Sequence, residues 1–245
     1  MALPFFYIDK YDASAKEIML EEESSRHIVQ VLRMSVGDLL NLTDGRGNLL
    51  TASIAEAHKK HCRVKVEERV RVKERSRKVA IGISLLKNAS RFEWFLEKAT
   101  EIGVAEIIPL ICARTEKERF RQERMQAILV SAMLQSQQCW LPVLHEPVAY
   151  ALLFRQEDLQ VYSQKWIAHC EEDNKEQLGG LISSEHSQII LIGPEGDFTS
   201  DEIQSAIGHQ FMPVALGENR LRSETAGMVA ATLLIMQNNK RERES

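Results

Sequence analysis

The sequence lacks long apolar runs and is poor in proline, glycine and aromatic residues. Its 245 residues include 6 Pro, 12 Gly and 6% aromatics, which excludes collagen-like and low-complexity chains. The longest largely apolar stretch, 226–236, is about half of what a transmembrane helix requires. No basic start followed by an apolar block marks a secretory signal, so the expected compartment is the cytoplasm. With 44% hydrophobic residues, the chain is expected to be a soluble protein of one or two domains.

Closely spaced cysteines and paired histidines are also missing. The four cysteines are far apart in the sequence, which argues against a zinc knuckle or a redox dithiol, and they are expected to be reduced and partly buried. The seven histidines form no His-x-x-x-His pair, so no metal is expected. The cysteines are Cys62, Cys112, Cys139 and Cys170.

Basic residues are concentrated in one segment of an acidic chain. The net charge is -4 overall, yet 59–78 holds ten Lys and Arg against three Glu. Such a stretch is typical of a surface that binds a polyanion, because basic side chains contact phosphates and release counterions. The alternative is a solvated strand face followed by a linker.

The first seventy residues are patterned as short strands separated by turns, which favours a small closed or partly closed β-barrel. The segment 44–47 (DGRG) lies between two apolar runs and predicts a β-hairpin. After it, Val64, Val66, Val70 and Val72 alternate with basic residues, which predicts a strand with one apolar and one basic face. The predicted elements are strands at 4–8, 17–20, 38–43, 49–55 and 62–72 and a helix at 25–34.

From residue 79 onward, strands alternate with helices, which is typical of a mostly parallel sheet covered on both faces. The predicted strands are 79–86, 107–112, 161–170, 188–192 and 212–216, and the predicted helices are 91–102, 119–137, 200–207 and 223–237. The change of pattern places a domain boundary in the charged segment 74–78.

Two late loops of this α/β part form the predicted ligand site, because ligands of such sheets bind at the carboxyl ends of strands. The loop 190–202 holds two glycines that permit close backbone approach, and 199–202 predicts a helix cap. The loop 215–226 places two arginines before the last helix, whose N-terminus favours an anion. The first loop could instead be an ordinary strand-to-helix turn. The second could instead be a helix cap with Arg222 in a salt bridge. Dinucleotide, phosphate-loop and hydrolase-elbow motifs do not occur, which disfavours the common nucleotide enzymes.

Together the loops resemble those of the SPOUT methyltransferases, and more narrowly the bacterial small-subunit (16S) ribosomal RNA (uridine-N3)-methyltransferase family. The shared segments are GPEG at 193–196, LG at 216–217 and LRSETA at 221–226. The likeness extends to HIVQVLRM at 27–34 with GD at 37–38, EK at 97–98, EIGV at 101–104 and IPL at 108–110. Three positions depart from the family pattern: Asp197 replaces the usual Gly, Ala113 a usual Glu, and Gln138 a frequent Arg.

The resemblance implies an α/β protein with an N-terminal PUA-like β-barrel that binds RNA (1–73) and a C-terminal SPOUT domain with a trefoil knot (74–245). It also implies S-adenosyl-L-methionine as the cofactor, while the composition and spacing described above predict no metal and no membrane partner. The implied partners are small-subunit ribosomal RNA, expected in the assembled subunit, and a second copy in a homodimer.

The resemblance also suggests which residues carry these functions. Arg222 would orient the target base or neutralise its charge, because its permanently charged planar fork suits an enolate-like oxygen. Glu224 would act as a base or orient Arg222. The expected cofactor-binding residues are Leu110, Gly193, Glu195, Gly196, Leu216, Gly217, Leu221 and Ser223. The expected RNA-binding residues are Arg26, Arg33, Lys59, Lys60, Arg63 and Lys65.

Two other functions fit these observations. The chain could be a non-catalytic RNA-binding or assembly factor that keeps the fold, which the departures at Asp197 and Gln138 would favour. It could also be a methyltransferase of the same superfamily that modifies another RNA position or a ribose hydroxyl.

Overall fold

The structure is a computed structural model that describes residues 3–12, 14–155, 157–171, 175–183 and 186–242. It divides into two compact units. Unit 1 comprises residues 1–74 and 130–141, and unit 2 comprises residues 75–129 and 142–245. The division near residue 74 coincides with the charged segment in which the sequence pattern changes.

Unit 1 is built on a five-stranded sheet with the strand order β1-β3-β4-β5-β2. Its strands are β1 (Phe5–Tyr7), β2 (Glu17–Met19), β3 (Leu39–Thr43), β4 (Asn48–Glu56) and β5 (Arg63–Arg71). β1 pairs with β3 in parallel, whereas the other pairs are antiparallel. Apolar side chains from these strands and the fully buried Ile28 form one core.

The predicted hairpin is confirmed between β3 and β4. At its turn, Asp44 Oδ1 accepts the backbone N–H groups of Arg46 (2.8 Å) and Asn48 (3.2 Å), and Asp44 Oδ2 accepts a hydrogen bond from Asn48 Nδ2 (2.5 Å). One acidic side chain therefore supplies the acceptors that the turn backbone needs.

The prediction that β5 has a single apolar face is wrong for the second half of the strand. The register against β4 shifts at the position of Glu67, where β4 residues Thr51 and Ala52 pair with Glu68 and Val66. A β-bulge of this kind turns the following side chains to the opposite face of the sheet. Val64 is accordingly buried, whereas Val70 is 44% exposed.

The helix predicted at 25–34 begins at Glu22 and changes from α-helical to π-helical at His27. α1 (Glu22–Arg26) is followed by a π-helical turn (His27–Val31), in which the backbone N–H of Leu32 donates to His27 O at 2.9 Å. Arg33 then adopts a left-handed conformation with φ of 54°, which ends the helical segment.

Residues 130–141 belong to unit 1, although the sequence pattern assigns them to the second domain. Trp140 Nε1 donates to Val72 O at 3.2 Å, and the guanidinium of Arg71 lies 4.9 Å from the centre of the Trp140 ring. Such contacts join segments that are far apart in the sequence, so the local residue pattern does not predict them.

Unit 2 is built on a wholly parallel sheet with the strand order β11-β13-β10-β12-β6-β7-β8, with β9 also paired to β7. Its strands are β6 (Val79–Ser84), β7 (Glu106–Ile111), β8 (Val143–Leu144), β9 (Val148–Ala149), β10 (Gln164–Ala168), β11 (Glu176–Gln177), β12 (Gln188–Ile192) and β13 (Met212–Ala215). The helices are α2 (Ala89–Ile102), α3 (Gln122–Gln135, which ends in unit 1), α4 (Tyr150–Leu153), α5 (Leu178–Leu181), α6 (Ser200–Gly208) and α7 (Ser223–Glu242).

Both faces of this sheet are covered, as the continuous apolar strands predict. On one face, Ile189 and Leu191 of β12 pack in a cluster with Ile203 of α6 and Tyr150 of α4. On the other face, α7 packs on β6, β12 and α2. The helices cover the two faces of the sheet, so a ligand can reach the sheet at the carboxyl ends of its strands.

Further sequence expectations concern cysteines, metals and membranes. All four cysteines are free, and Cys170 alone is exposed. Among the described residues, no three His, Cys, Asp or Glu side chains are grouped as metal ligands would be. Within the same ranges, no helix has the length and apolar character needed to cross a bilayer.

Candidate functional site

A cavity of 740 Å³ lies in unit 2 at the carboxyl ends of β10, β12 and β13, which are neighbours in the sheet. Both loops singled out from the sequence line it, one after β12 and one after β13. Its volume is in the range typical of small-molecule sites. The cavity therefore lies where ligands bind in parallel α/β sheets.

The lining combines apolar groups with side chains of both charges. Ile192, Val214 and Leu221 contribute apolar surface. Four acidic and three basic side chains surround this surface: Glu171, Glu195, Asp197, Glu218, Lys175, Arg220 and Arg222. Such a cavity can hold an elongated zwitterionic ligand that has both an apolar and a charged part.

Two glycines in these loops meet a steric requirement. A Cβ added to Gly193 would lie 3.1 Å from the ring and from the backbone nitrogen of Phe198, so a side chain there would crowd the loop. Gly217 has φ of 135°, a backbone conformation that side-chain-bearing residues rarely adopt. Both positions keep the backbone close to the cavity.

The loop after β12 is fastened to the ends of neighbouring strands. Glu195 Oε1 accepts the backbone N–H of Lys87, just beyond β6, at 3.0 Å. Arg114, just beyond β7, donates through Nη1 to Gly196 O at 2.7 Å. These bonds join the loop after β12 to the segments that follow β6 and β7.

The N-terminus of α6 completes this fastening and confirms the predicted cap. Thr199 and Glu202 form a capping box, in which Thr199 Oγ1 accepts the N–H of Glu202 and Glu202 Oε2 accepts the N–H of Thr199. The second oxygen of Glu202 accepts the N–H of Ala113 at 2.8 Å. One carboxylate thus caps α6 and links it to the segment after β7.

The structure brings most of the sequence-predicted site residues of unit 2 together around the cavity. Those that line it are Gly193, Glu195, Leu216, Gly217, Leu221, Arg222 and Ser223. Leu110 is fully buried in the core cluster, and Gly196 packs against the side chain of Arg114. Neither Leu110 nor Gly196 is part of the cavity lining.

Glu224 lies beside the lining rather than in it. Its side chain is almost wholly buried, and Oε1 lies 3.6 Å from Nε of Arg91 on α2. Its Oε2 is buried and has no hydrogen-bond partner among the described residues. A buried carboxylate oxygen of this kind is unusual and marks a position where a partner group would be favourable.

Sequence reasoning missed the wall formed by the end of β10. Ala168, His169, Cys170 and Glu171 line the cavity, as does Lys175. Ligands bind at the carboxyl ends of parallel strands, and this applies to β10 as well as to β12 and β13. The residue pattern of β10 does not, however, indicate that this strand lies between β12 and β13 in the sheet. Strand order in a parallel sheet depends on crossovers, which local sequence does not encode.

The predicted RNA-binding residues all lie in unit 1 and are exposed, but half of them have carboxylate partners. Arg26 pairs with Glu22 at 2.8 Å, Arg63 pairs with Glu56 at 3.3 Å, and Lys65 pairs with Glu67 at 3.4 Å. Within the described part of the chain, no carboxylate lies within 4.0 Å of Arg33, Lys59 or Lys60.

Comparison with known proteins identifies the family. Residues 73–235 match the RNA methyltransferase domain, and residues 20–67 match the RNA methyltransferase PUA domain. The chain belongs to this RNA methyltransferase family. The predicted α/β fold with a PUA-like first domain is therefore confirmed.

Individual members of the family are similar over nearly the whole chain. A Synechocystis protein named ribosomal RNA small subunit methyltransferase E is 33% identical over 221 residues, covering 87% of this chain and 71% of its own. A probable rRNA-methyltransferase structure from Porphyromonas gingivalis is 35% identical, with a TM-score of 0.88, and covers 96% of this chain and 98% of its own. A putative methyltransferase from Legionella pneumophila, solved with the bound cofactor SAM, is 28% identical, with a TM-score of 0.83 and coverage of 96% and 97%.

Proposed function

We propose that the chain is an S-adenosyl-L-methionine-dependent methyltransferase that methylates N3 of a uridine in small-subunit (16S) ribosomal RNA. The observation that carries this proposal is the cavity at the carboxyl ends of β10, β12 and β13, where Arg222 and both family loops meet. Membership of the RNA methyltransferase family supports the reaction class, and the name of the Synechocystis relative supports the substrate.

The residues of the cavity suit this cofactor. The apolar lining from β12, β13 and Leu221 accommodates an adenosine group. Backbone N–H and C=O groups of the two loops can form hydrogen bonds with the polar atoms of the adenine base. The carboxylate of Glu171 favours positive charge, while Arg220 favours a carboxylate. When bound, S-adenosyl-L-methionine supplies a methyl group on a positively charged sulfur. We assign cofactor binding to the predicted residues that line the cavity, and not to Leu110, which is buried in the core, or to Gly196.

Arg222 is the residue that we assign to the target base. A uracil ring that loses its N3 proton to solvent water carries negative charge on its flanking carbonyl oxygens. A guanidinium at the edge of the cavity stabilises that charge and orients the ring through two parallel donors. We assign to Glu224 a positioning role at the start of α7, since its contact with Arg91 ties α7 to α2.

We assign RNA binding to the PUA-like domain, chiefly to Arg33, Lys59 and Lys60, with Arg26, Arg63 and Lys65 beside them. The match of residues 20–67 to an RNA methyltransferase PUA domain supports this assignment. Phosphate contacts give affinity for a folded RNA, and recognition of its shape adds to that affinity. We expect the assembled small subunit, in the cytoplasm, to be the substrate.

The resemblance also leads us to propose a trefoil knot and a homodimer. The order of elements supports the knot: the chain passes from β12 to β13 on the far side of β10 and then returns to pack α7 on β12 and β6. Met236 on α7 is 61% exposed, and we propose it as a contact with the second copy. Sedimentation at several concentrations tests the dimer, and a single monomeric species would contradict it.

The test of the proposed function measures transfer of labelled methyl from S-adenosyl-L-methionine to small subunits that lack the modification. We expect transfer by the wild-type chain. Arg222→Ala should lower the rate by at least about 100-fold, the usual effect of removing a group that stabilises developing charge, while cofactor binding is largely retained. Arg155→Ala is the matched control, since Arg155 is exposed and does not line the cavity.

The outcomes separate the candidate functions. Wild-type turnover that survives in Arg222→Ala removes Arg222 from the reaction. A wild-type chain that neither binds the cofactor nor transfers methyl contradicts the proposed function and favours a non-catalytic RNA-binding factor.

A further inference from the structure

Asp197 lies at the turn that follows β12, and its backbone is left-handed, with φ of 65°. This conformation is unfavourable for residues with a Cβ, although Asp accepts it better than most because its short side chain bonds locally. The N–H of Asp197 donates to Pro194 O at 2.9 Å, and Oδ1 accepts the N–H of Phe198 at 2.8 Å. The carboxylate therefore supports the turn in which it lies.

The other carboxylate oxygen reaches across to a different strand. Asp197 Oδ2 accepts the backbone N–H of Cys170 at 2.7 Å. The pairing of β10 with β12 ends at Ala168 and Ile192, so this bond lies beyond the last rung of the ladder. It joins the segment after β10 to the loop after β12, and both line the cavity.

We propose, on the basis of the proposed function, that Asp197 is a positioning residue for cofactor binding. Its carboxylate fastens the wall 168–171 to the loop 193–198 and so fixes the width of the cavity between them. A charged acceptor on a backbone N–H makes a short, directional bond that suits this role. A second link, from Ser200 Oγ to Glu171 Oε1 at 2.7 Å, joins two exposed side chains and is open to competition from water.

Two substitutions separate this role from folding. Asp197→Gly removes both hydrogen bonds and relieves the left-handed backbone, so the melting temperature should stay within a few degrees of the wild type. Asp197→Asn tolerates the same backbone and keeps one acceptor oxygen, so it should restore part of the function. Ser200→Ala is the matched control, because it removes the exposed link between the wall 168–171 and the first residue of α6.

The first readout is the kinetics of methyl transfer. Asp197→Gly should raise KM for S-adenosyl-L-methionine about tenfold, the effect of losing one charge-assisted hydrogen bond, with a much smaller change in kcat. Asp197→Asn should lie between Asp197→Gly and the wild type. Ser200→Ala should change KM by less than about twofold, as expected of an exposed side-chain pair.

The second readout is the reactivity of Cys170 and needs no cofactor. Burial and the neighbouring Asp197 carboxylate raise the pKa of the Cys170 thiol. Removing the carboxylate should lower that pKa, speed alkylation by iodoacetamide about threefold or more near pH 8, and shift the rate profile to lower pH. The other three cysteines are buried, so native labelling reports on Cys170, and Cys170→Ser should abolish it.

The two readouts decide the proposal together. Faster alkylation together with a raised KM supports it. An unchanged alkylation profile in Asp197→Gly overturns it, as does an unchanged KM when the wild type is active. Failure of the proposed function gives a different result. The wild type then binds no S-adenosyl-L-methionine, although alkylation of Cys170 is still faster in Asp197→Gly. That result overturns the role of Asp197 in cofactor binding together with the proposed function.

Discussion

Gly227 lies one turn into α7, where the helix packs against α2 and the sheet. A Cβ added at this position would lie 2.8 Å from Phe95 Cε2 and 3.1 Å from Ile83 Cδ1, whereas carbon atoms normally pack at about 3.5 to 4.0 Å. Phe95 and Ile83 are fully buried, so neither can move into solvent. We therefore expect Gly227→Ala to push α7 away from the sheet.

Two effects of opposite sign set the magnitude. Ala stabilises a helix interior by about 1 kcal/mol relative to Gly, whereas overpacking a well-packed core costs about 1 to 3 kcal/mol. The net expectation is a loss of about 1 kcal/mol, which for a chain of this size lowers the melting temperature by about 2 to 4 °C. Because α7 begins immediately after Arg222, methyl transfer should fall as well.

Thermal unfolding of matched variants provides the assay. Gly208→Ala is the control, since a Cβ on this last residue of α6 meets no atom within 4 Å and should leave stability unchanged or slightly raised. Phe95→Leu should make Gly227→Ala less harmful in the double variant, because it removes the ring that the new Cβ would meet. A Gly227→Ala chain at least as stable as Gly208→Ala would refute this packing argument.

Three further predictions follow from the contacts described above. Hydrogen bonds with His145 and Tyr162 and the charge of Lys78 lower the pKa of Glu106 to about 2. The ionised carboxylate therefore stabilises the fold above the ordinary carboxyl pKa, and this contribution is lost as the pH falls toward 2. Glu106→Gln should therefore cost about 2 kcal/mol at pH 7 and flatten the pH dependence of urea unfolding below pH 5; an unchanged curve would contradict this. Thr199→Ala should lower the free energy of unfolding by about 1 kcal/mol, measured by the same denaturation, whereas Thr199→Ser should keep the cap and the stability. The double variant Lys59→Glu/Lys60→Glu should weaken binding to small-subunit RNA and reduce the slope of log affinity against log salt by about 2, and an unchanged slope would assign these lysines to the solvated face.

The sequence predicts well those features that depend on local pattern and on one general rule of sheet architecture. The capping box at Thr199 follows from residue types three positions apart, and the hairpin at Asp44 follows from its turn residues. The two loops after β12 and β13 were predicted to carry the site because parallel strands share one carboxyl edge. Both loops do line a single cavity.

Other features depend on contacts between distant segments and could not be read locally. The bulge at Glu67 reverses the facing of the end of β5, although the alternation of valines continues through it. Trp140 packs against Arg71 because of the path of α3, which no local pattern encodes. The bond from Asp197 to Cys170 joins positions that become neighbours only when β10 and β12 pair.

The central claim is that the chain methylates N3 of a uridine in small-subunit ribosomal RNA. The most direct measurement incubates the wild-type protein with S-adenosyl-L-methionine and small subunits from a strain that lacks the modification, then digests the RNA and separates the nucleosides by mass. We predict 3-methyluridine as the new product. A methyl group on a ribose or on another base, or no new methylated nucleoside at all, would contradict the claim.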